Sequence, residues 1–436
     1  MVHRGTQVSE VELLFILMVL LGLIGTGLPI AFALVAISIG ILAIGDVDLI
    51  VVAQRLYRGV QSFPLLAVPL FILAGQIMSR SGISGHLVDF AKTIVGQMRG
   101  GLAAVNVVTS MFFAGMSGTS MSDTAAVGGI LIDPMIKRGY SRAFTGAVTA
   151  ASSTIGIIIP PSVPMVILGA YLGISTGALF AAGLMAGVLL GLGLIAVSWV
   201  ISIRKGYPVE AEFSLRAMFV TFLRAVPALI MPVIILGGIL GGVFTPTEAS
   251  SVAVVYGIFI GTVYYRTLTW RKLYTTFTEA AVLSGAVMLV TATAHVLGYA
   301  FTYEQVADSL LTPIAQMQMT PTMFLVVLSL VLIVAGTFLD GIAMIYIVVP
   351  LFFPAVMLLG IDPIHFGMVV VICWGIGQQT PPVGAALFIT SVIARVDILA
   401  ITVANLPFIA VMFVVLALVI LFPETIVLSI PHALGF

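Results

Sequence analysis

The chain has 436 residues, of which 61% are hydrophobic and 8% charged, with Lys+Arg and Asp+Glu equal at 17 each. A soluble domain carries about 25% charged residues, so a chain with a mean hydropathy of +1.25 cannot solvate its own surface and reads as an integral membrane protein. The balanced charge gives no case for nucleic-acid binding, and Cys373, the single cysteine, excludes an intramolecular disulfide or a cysteine-based metal cluster.

Apolar runs of ~20 residues recur along the whole chain, which predicts an all-α polytopic protein rather than a barrel of alternating ~10-residue strands. Residues 11–25 and 30–44 read as spans; the first has no small-residue cleavage site and is expected to be retained. Residues 46–63 are amphipathic, with Arg55 and Arg58 on one side, and 65–78 form a third span. Residues 80–100 are more polar and are expected to lie along the interface. The apolar run 103–116, of ~14 residues, is too short to cross ~30 Å of hydrocarbon. It leads into Ser117, Gly118, Thr119, Ser120 and Asp123, and a second short apolar run, 125–135, follows. Two half-length helices around a polar tip predict a re-entrant hairpin.

Residues 143–172 are apolar but broken: Pro160 and Pro161 lack backbone N–H groups, and Ser153, Thr154 and Ser162 place hydroxyls beside carbonyls that lose their helical partners. Such a break persists in a membrane only when buried in protein or lining a wet cavity. Spans follow at 177–203, 218–240, 248–265 and 277–297, with basic loops at 204–216 and 266–272. Residues 301–317, with Glu304 and Asp308, are expected at the interface. The short run 322–335, a tip containing Gly336, Thr337, Asp340 and Gly341, and the run 342–358 repeat the hairpin. Residues 364–395 repeat the break at Pro381 and Pro382, and 398–421 is the last span.

The two Pro-Pro pairs lie 221 residues apart, and Gly156 and Gly377 each stand four residues before one of them. The same offset carries each span of the first half onto a counterpart in the second. The chain is therefore expected to be an internal duplication: five spans, one hairpin and one broken helix per copy. An odd span count makes the copies face opposite ways. Lys92, Arg99, Lys137, Arg138 and Arg142 flank the first hairpin and no basic residue flanks the second, so the first is expected to enter from the cytoplasm. This leaves Arg55 and Arg58 on the outside, against the rule. The pattern divides the chain into scaffold helices and an interfacial arm (1–100), a first hairpin and break (101–175), further scaffold and a second arm (176–317), a second hairpin and break (318–396), and a last span with its tail (397–436).

Inverted repeats with broken helices are the signature of a secondary transporter. Helix N-termini attract anionic substrate groups, while unwound carbonyls and hydroxyls can coordinate Na⁺. Ser117, Thr119, Ser120, Ser153 and Thr154 form one candidate site; Gly336, Thr337, Gly375, Gly377 and Thr380 form its counterpart. Ser120, Thr154, Thr337 and Thr380 are the expected Na⁺ ligands. Asp123 and Asp340 are either ion ligands or helix caps. Gln378 and Gln379 stand where the first copy has Ile157 and Ile158, and serve either substrate or carbonyls. Glu248 reads as a helix-start residue rather than a ligand, and Glu279 and His295 as packing or interface residues rather than a proton relay. Enzyme motifs are missing, including a phosphate-binding Gly-x4-Gly-Lys-Ser/Thr, so neither catalysis nor bound ATP is expected.

The stretches 118–134 with Asp123, Lys137-Arg138-Gly139-Tyr140, 149–165 and Pro381-Pro382-Val383-Gly384 resemble the large membrane subunit of tripartite ATP-independent periplasmic (TRAP) transporters. The resemblance runs over essentially the whole chain. It implies an elevator-type, Na⁺-coupled importer of small organic anions in the bacterial inner membrane. It also implies two partners, a small four-helix membrane subunit and a periplasmic substrate-binding protein. It places ion and substrate at the hairpin tips and helix breaks. A stand-alone divalent-anion/sodium symporter of the same architecture is the alternative, and a membrane enzyme or scaffold is a third reading with no catalytic constellation behind it.

Overall fold

In a computed structural model of the chain, the described residues are 10–436 apart from 211, 307, 308, 310, 312, 313 and 315; Asp308 lies outside them. They form helices and turns, with no strand among them. Nine helical segments among the described residues are long and apolar enough to cross a membrane.

The first half contains α1 (Glu10–Gly25), α2 (Ile30–Ile44), α3 (Ile50–Val60), α4 (Ala67–Arg80) and α5 (Ile83–Val95). The first hairpin is α6 (Gly101–Ser117) and α7 (Ser120–Lys137). The first broken helix is α8 (Arg142–Ser153), the single turn α9 (Ile155–Ile158) and α10 (Val163–Leu172), and α11 (Thr176–Lys205) closes this half. The second half contains α12 (Leu215–Leu240), α13 (Pro246–Phe259) running into a π-helical turn, and α14 (Trp270–Tyr303). Its hairpin is α15 (Pro321–Phe338) and α16 (Gly341–Leu358), its broken helix α17 (Pro363–Gly377) and α18 (Ala385–Ala394), and its last span α19 (Ile398–Leu421).

The 221-residue offset is visible in the helix boundaries. Shifting Ser120–Lys137 by it gives Gly341–Leu358, and Gly101–Ser117 lands within one residue of Pro321–Phe338. Both Pro-Pro bonds are cis, and Gly139 and Gly360, which end corresponding hairpins, both have positive φ.

The first N–H groups of a helix have no partner within it, and side chains cap several of these starts. Thr119, Ser162 and Ser175 do so in the first half, and Thr320, Asp340, Asp362 and Asp397 in the second. Thr245 and Glu248 form a reciprocal capping box, which is the helix-start role expected of Glu248.

The structure departs from the sequence reading in two ways. The hairpin arms are 17 or 18 residues long, not half-length. The reason is that Ser120, Ser122, Asp123 and Thr337, discounted as tip residues, continue the helices. Each arm spans about 26 Å at 1.5 Å per residue, so length alone does not separate a hairpin from a pair of spans. The second departure is α14, whose 34 residues absorb both Trp270–Lys272 of the expected basic loop and the start of the expected interfacial segment.

One end of the molecule gathers most of the cations. Gly100 N–H donates to Pro208 O at 3.0 Å and Glu210 N–H to Gly96 O at 3.1 Å. Arg138 pairs with Glu210 at 3.4 Å, and Arg142 donates to Ala394 O at 2.8 Å. Thr267 donates to Ser81 O at 2.6 Å beside Arg80 and Arg266. Arg55 is at the other end, its guanidinium 4.0 Å from the Tyr299 ring centroid, a cation–π contact that holds the charge on α14.

Candidate substrate and ion site

Each hairpin tip docks onto the helix break of its own half. Gly118 ends α6 with φ 65°, a left-handed turn that favours glycine. Its carbonyl accepts from Val163 N–H at 3.0 Å, just past Pro160, Pro161 and Ser162. A methyl group at Gly156 would lie 3.3 Å from Thr119 O and 3.4 Å from Asp123 Cβ. In the second half, Val383 N–H donates to Thr337 O at 3.3 Å, past Pro381 and Pro382. Gly336 and Gly377 meet backbone to backbone: a Cβ on Gly377 would stand 2.7 Å from Gly336 Cα.

The two breaks also touch each other. A Cβ on Gly375 would sit 2.5 Å from Thr154 Cγ2, so glycine lets the second break close on the first. Gln379 donates to Ala150 O at 2.5 Å and to Thr154 Oγ1 at 2.9 Å. Its own oxygen accepts from Asn405 at 3.1 Å. Gln379 thus satisfies a carbonyl and a hydroxyl across the halves, while Gln378 faces a cavity with an unpartnered amide nitrogen.

That cavity, of about 320 Å³, receives both tips. Thr119, Ser120 and Ser122 reach it from the first tip, Asp340 from the second, and Trp374 and Gln378 from the end of α17. Val287 and Val290 of α14 and Ile72 of α4 form the opposing wall. Beyond Val290 along α14 stands an aromatic cluster: Tyr171 meets Tyr346 edge-on at 5.0 Å and His295 at 5.4 Å. On the other side, towards the basic end, Met121 and Leu283 are 46% and 44% exposed.

The two aspartates do different work. Asp340 caps α16, accepting from Ile342 N–H at 3.3 Å. By the offset it corresponds to Thr119, the cap of α7, and not to Asp123. Asp123 lies in the first turn of α7, fully buried, and neither carboxylate oxygen has a hydrogen-bond partner. The Ser110 hydroxyl lies beside it but donates to Ser152 at 3.1 Å.

Of the other expected residues, Ser120 and Ser153 share a hydrogen bond of 3.0 Å. Ser162 donates to Ile157 O at 2.7 Å, repairing the broken ladder. The Ser117 hydroxyl is buried without a partner. Thr337 and Thr380 bond carbonyls of their own helices, Val334 O at 2.8 Å and Ile376 O at 2.9 Å. Gly341 packs under Trp374. Residues missed from the sequence are Asn106, Ser110, Thr149, Ser152 and Asn405. Asn106 donates to Thr149 at 2.8 Å and accepts from Ser152 at 2.9 Å. The usable signal was the single amide inside an otherwise apolar run, which must find partners when buried.

The description "Tripartite ATP-independent periplasmic transporter, DctM component" matches residues 17–425. The chain belongs to this family. The permease is 36% identical over 417 residues to the sialic acid TRAP transporter large permease protein SiaM of Vibrio cholerae, covering 95% of this chain and 98% of that one. It is 39% identical over 383 residues to the C4-dicarboxylate TRAP transporter large permease protein DctM of Pseudomonas aeruginosa, covering 88% and 90%. The isethionate TRAP transporter permease protein DctMQ of Oleidesulfovibrio alaskensis matches at 37% over 392 residues, which is 89% of this permease and 62% of that longer chain. The crystal structure of the Alcanivorax borkumensis YdaH transporter shares the fold, with a TM-score of 0.64 and 15% identity over 86% of this chain and 89% of that one. These relatives are transporter permeases, not enzymes, and the permease is a multi-pass membrane protein.

Proposed function

We propose that the permease is the ion-coupled translocating unit of an importer of small organic anions in the bacterial inner membrane. It works with a small four-helix membrane subunit and a periplasmic binding protein. The cavity that receives both tips carries this reading. It sits between α4 and α14 on one side and the hairpins and breaks on the other, where a moving part would slide past a fixed one. In this reading α11 and α19 travel with the hairpins, because they pack on α8, α17 and each other. The substrates that the relatives are named for, sialic acid, C4-dicarboxylates and isethionate, are all organic anions.

The basic end is assigned to the cytoplasm, since cytoplasmic loops collect Lys and Arg. The cavity then opens inward, and Tyr171, Tyr346 and His295 form its periplasmic seal. The Arg142–Ala394 bond supports inverted repeats: it joins the start of the first broken helix to the end of the second. Single cysteines at Lys137 and Gln318, in a Cys373→Ser background, are expected to label from opposite sides of the membrane. Labelling of both from the periplasm would reject inversion.

Na⁺ is the proposed coupling ion. The unpartnered Asp123 carboxylate and Ser117 hydroxyl offer the oxygen donors a hard cation needs. Thr154 and Ser120 stand beside the same break, whereas Thr337 and Thr380 are available only through lone pairs left by their helix bonds. Net inward movement of one positive charge across 100 mV is worth about 2.3 kcal/mol. Reconstituted uptake is expected to follow an imposed Na⁺ gradient and to be accelerated by an inside-negative potential. Uptake that ignores Na⁺ and follows a proton gradient would reject this ion.

A further inference from the structure

A second cavity, of about 410 Å³, lies at the basic end between α8, α11 and α19. We propose that it holds an anionic phospholipid of the cytoplasmic leaflet. Its lining has two chemistries in two places. Ile201, Ala400, Val403 and Pro407 form an apolar groove about two turns deep, on the order of 10 Å. Arg204 and Lys205, in the last turn of α11, close its mouth.

Both cations are exposed, and among the described residues no carboxylate lies within salt-bridge reach of either. The acids nearby are committed elsewhere: Glu210 to Arg138 at 3.4 Å, and Asp397 to the cap of α19 through Leu399 N–H at 3.0 Å. Lys205 Nζ stands 5.8 Å from the Phe144 ring centroid, which holds the ammonium over the groove. Pro407 has no N–H to return to the Val403 carbonyl, so the wall also presents an acceptor.

This shape selects an amphiphile. A soluble anion would find the charges but leave the groove unfilled. A neutral lipid would fill the groove and leave two cations unpaired at a surface where each is worth about 1 kcal/mol against anionic lipid. The inference depends on which end faces the cytoplasm and not on the transport cycle.

The test uses the full chain purified in detergent and titrated with phosphatidylglycerol or phosphatidylcholine, with bound lipid counted by native mass spectrometry. Phosphatidylglycerol is expected to be retained preferentially. R204Q/K205Q is expected to lower that preference by roughly tenfold, and Arg271→Gln with Lys272→Gln, at another cytoplasmic site, to leave it unchanged. Val403→Trp, which fills the groove and keeps both cations, is expected to lose retention as well. Equal retention in R204Q/K205Q overturns the site. Retention of inorganic phosphate, titrated in the same way, as strong as that of phosphatidylglycerol would reassign it to a soluble anion and overturn the lipid.

Discussion

Replacing Asp123 by asparagine is expected to abolish Na⁺-coupled uptake, by at least a hundredfold, while the protein still folds. The carboxylate is fully buried, and the one hydroxyl beside it, that of Ser110, is directed to Ser152. A charge left uncompensated in a protein interior costs several kcal/mol, and insertion scales put an aspartate near mid-membrane at about 2.5–3.5 kcal/mol. The structural role that would excuse it, capping α7, is already filled by Thr119. A bound cation is the compensation the proposed function supplies. It follows that the asparagine variant should be at least as stable as the wild type in Na⁺-free medium. With saturating Na⁺ the order should reverse, since a ligand at 100 times its Kd adds about 2.7 kcal/mol to the form that binds it. Thermal unfolding with and without Na⁺, beside uptake, reads both effects. A variant that keeps the wild-type Na⁺ dependence would mean that the site carries no coupling ion. Asp340→Asn should behave differently. It keeps an acceptor for the cap and should cost at most about 1 kcal/mol of stability.

Much of this arrangement is legible in the chain, and the reasons are local. A Pro-Pro pair inside an apolar run forces a break wherever it lands, so both breaks could be placed to the residue. The 221-residue offset carried that certainty to the hairpins, whose helices recur within a residue of it. What escaped was whatever depends on which partner a side chain meets. The pairing of Asp123 with Asp340 by tip position was misleading, because the offset aligns Asp340 with Thr119. Two caps of different chemistry fill one structural position, and the buried carboxylate has no counterpart. Gln379 looked like a departure between copies and is the group that ties them together, through Ala150 and Thr154. The partners of Asn106 and Asn405 are hidden for the same reason: a lone amide in an apolar run states a need for partners and says nothing of where they are. Arm lengths were underestimated because polar residues at a tip were taken to end helices that in fact continue through them.

Uptake from free substrate by the permease and its small membrane partner alone is expected to be at least tenfold slower than with the periplasmic binding protein present. The argument is electrostatic. Arg395 is the only Lys or Arg after Lys272, and it lies beside Arg142 at the basic end of the molecule. The cavity that receives the tips has no basic residue among its lining, and it contains Asp340. What remains for an anion is the N-termini of α7 and α16, the Gln378 amide and hydroxyls such as those of Thr119 and Ser120, none of them carrying a full charge. A helix terminus supplies about half an elementary charge and typically 0.3–1 kcal/mol. Even two such ends leave affinity far short of the 8.2 kcal/mol that corresponds to a micromolar Kd. On the proposed function, a site this weak would not gather anions from dilute solution, and capture would fall to a protein that docks and releases its load at the permease. Proteoliposomes containing the two membrane subunits, assayed with labelled substrate before and after addition of the binding protein, make the comparison directly. Equal rates in the two conditions would favour a stand-alone symporter and overturn the delivery step, whatever Asp123 does with Na⁺.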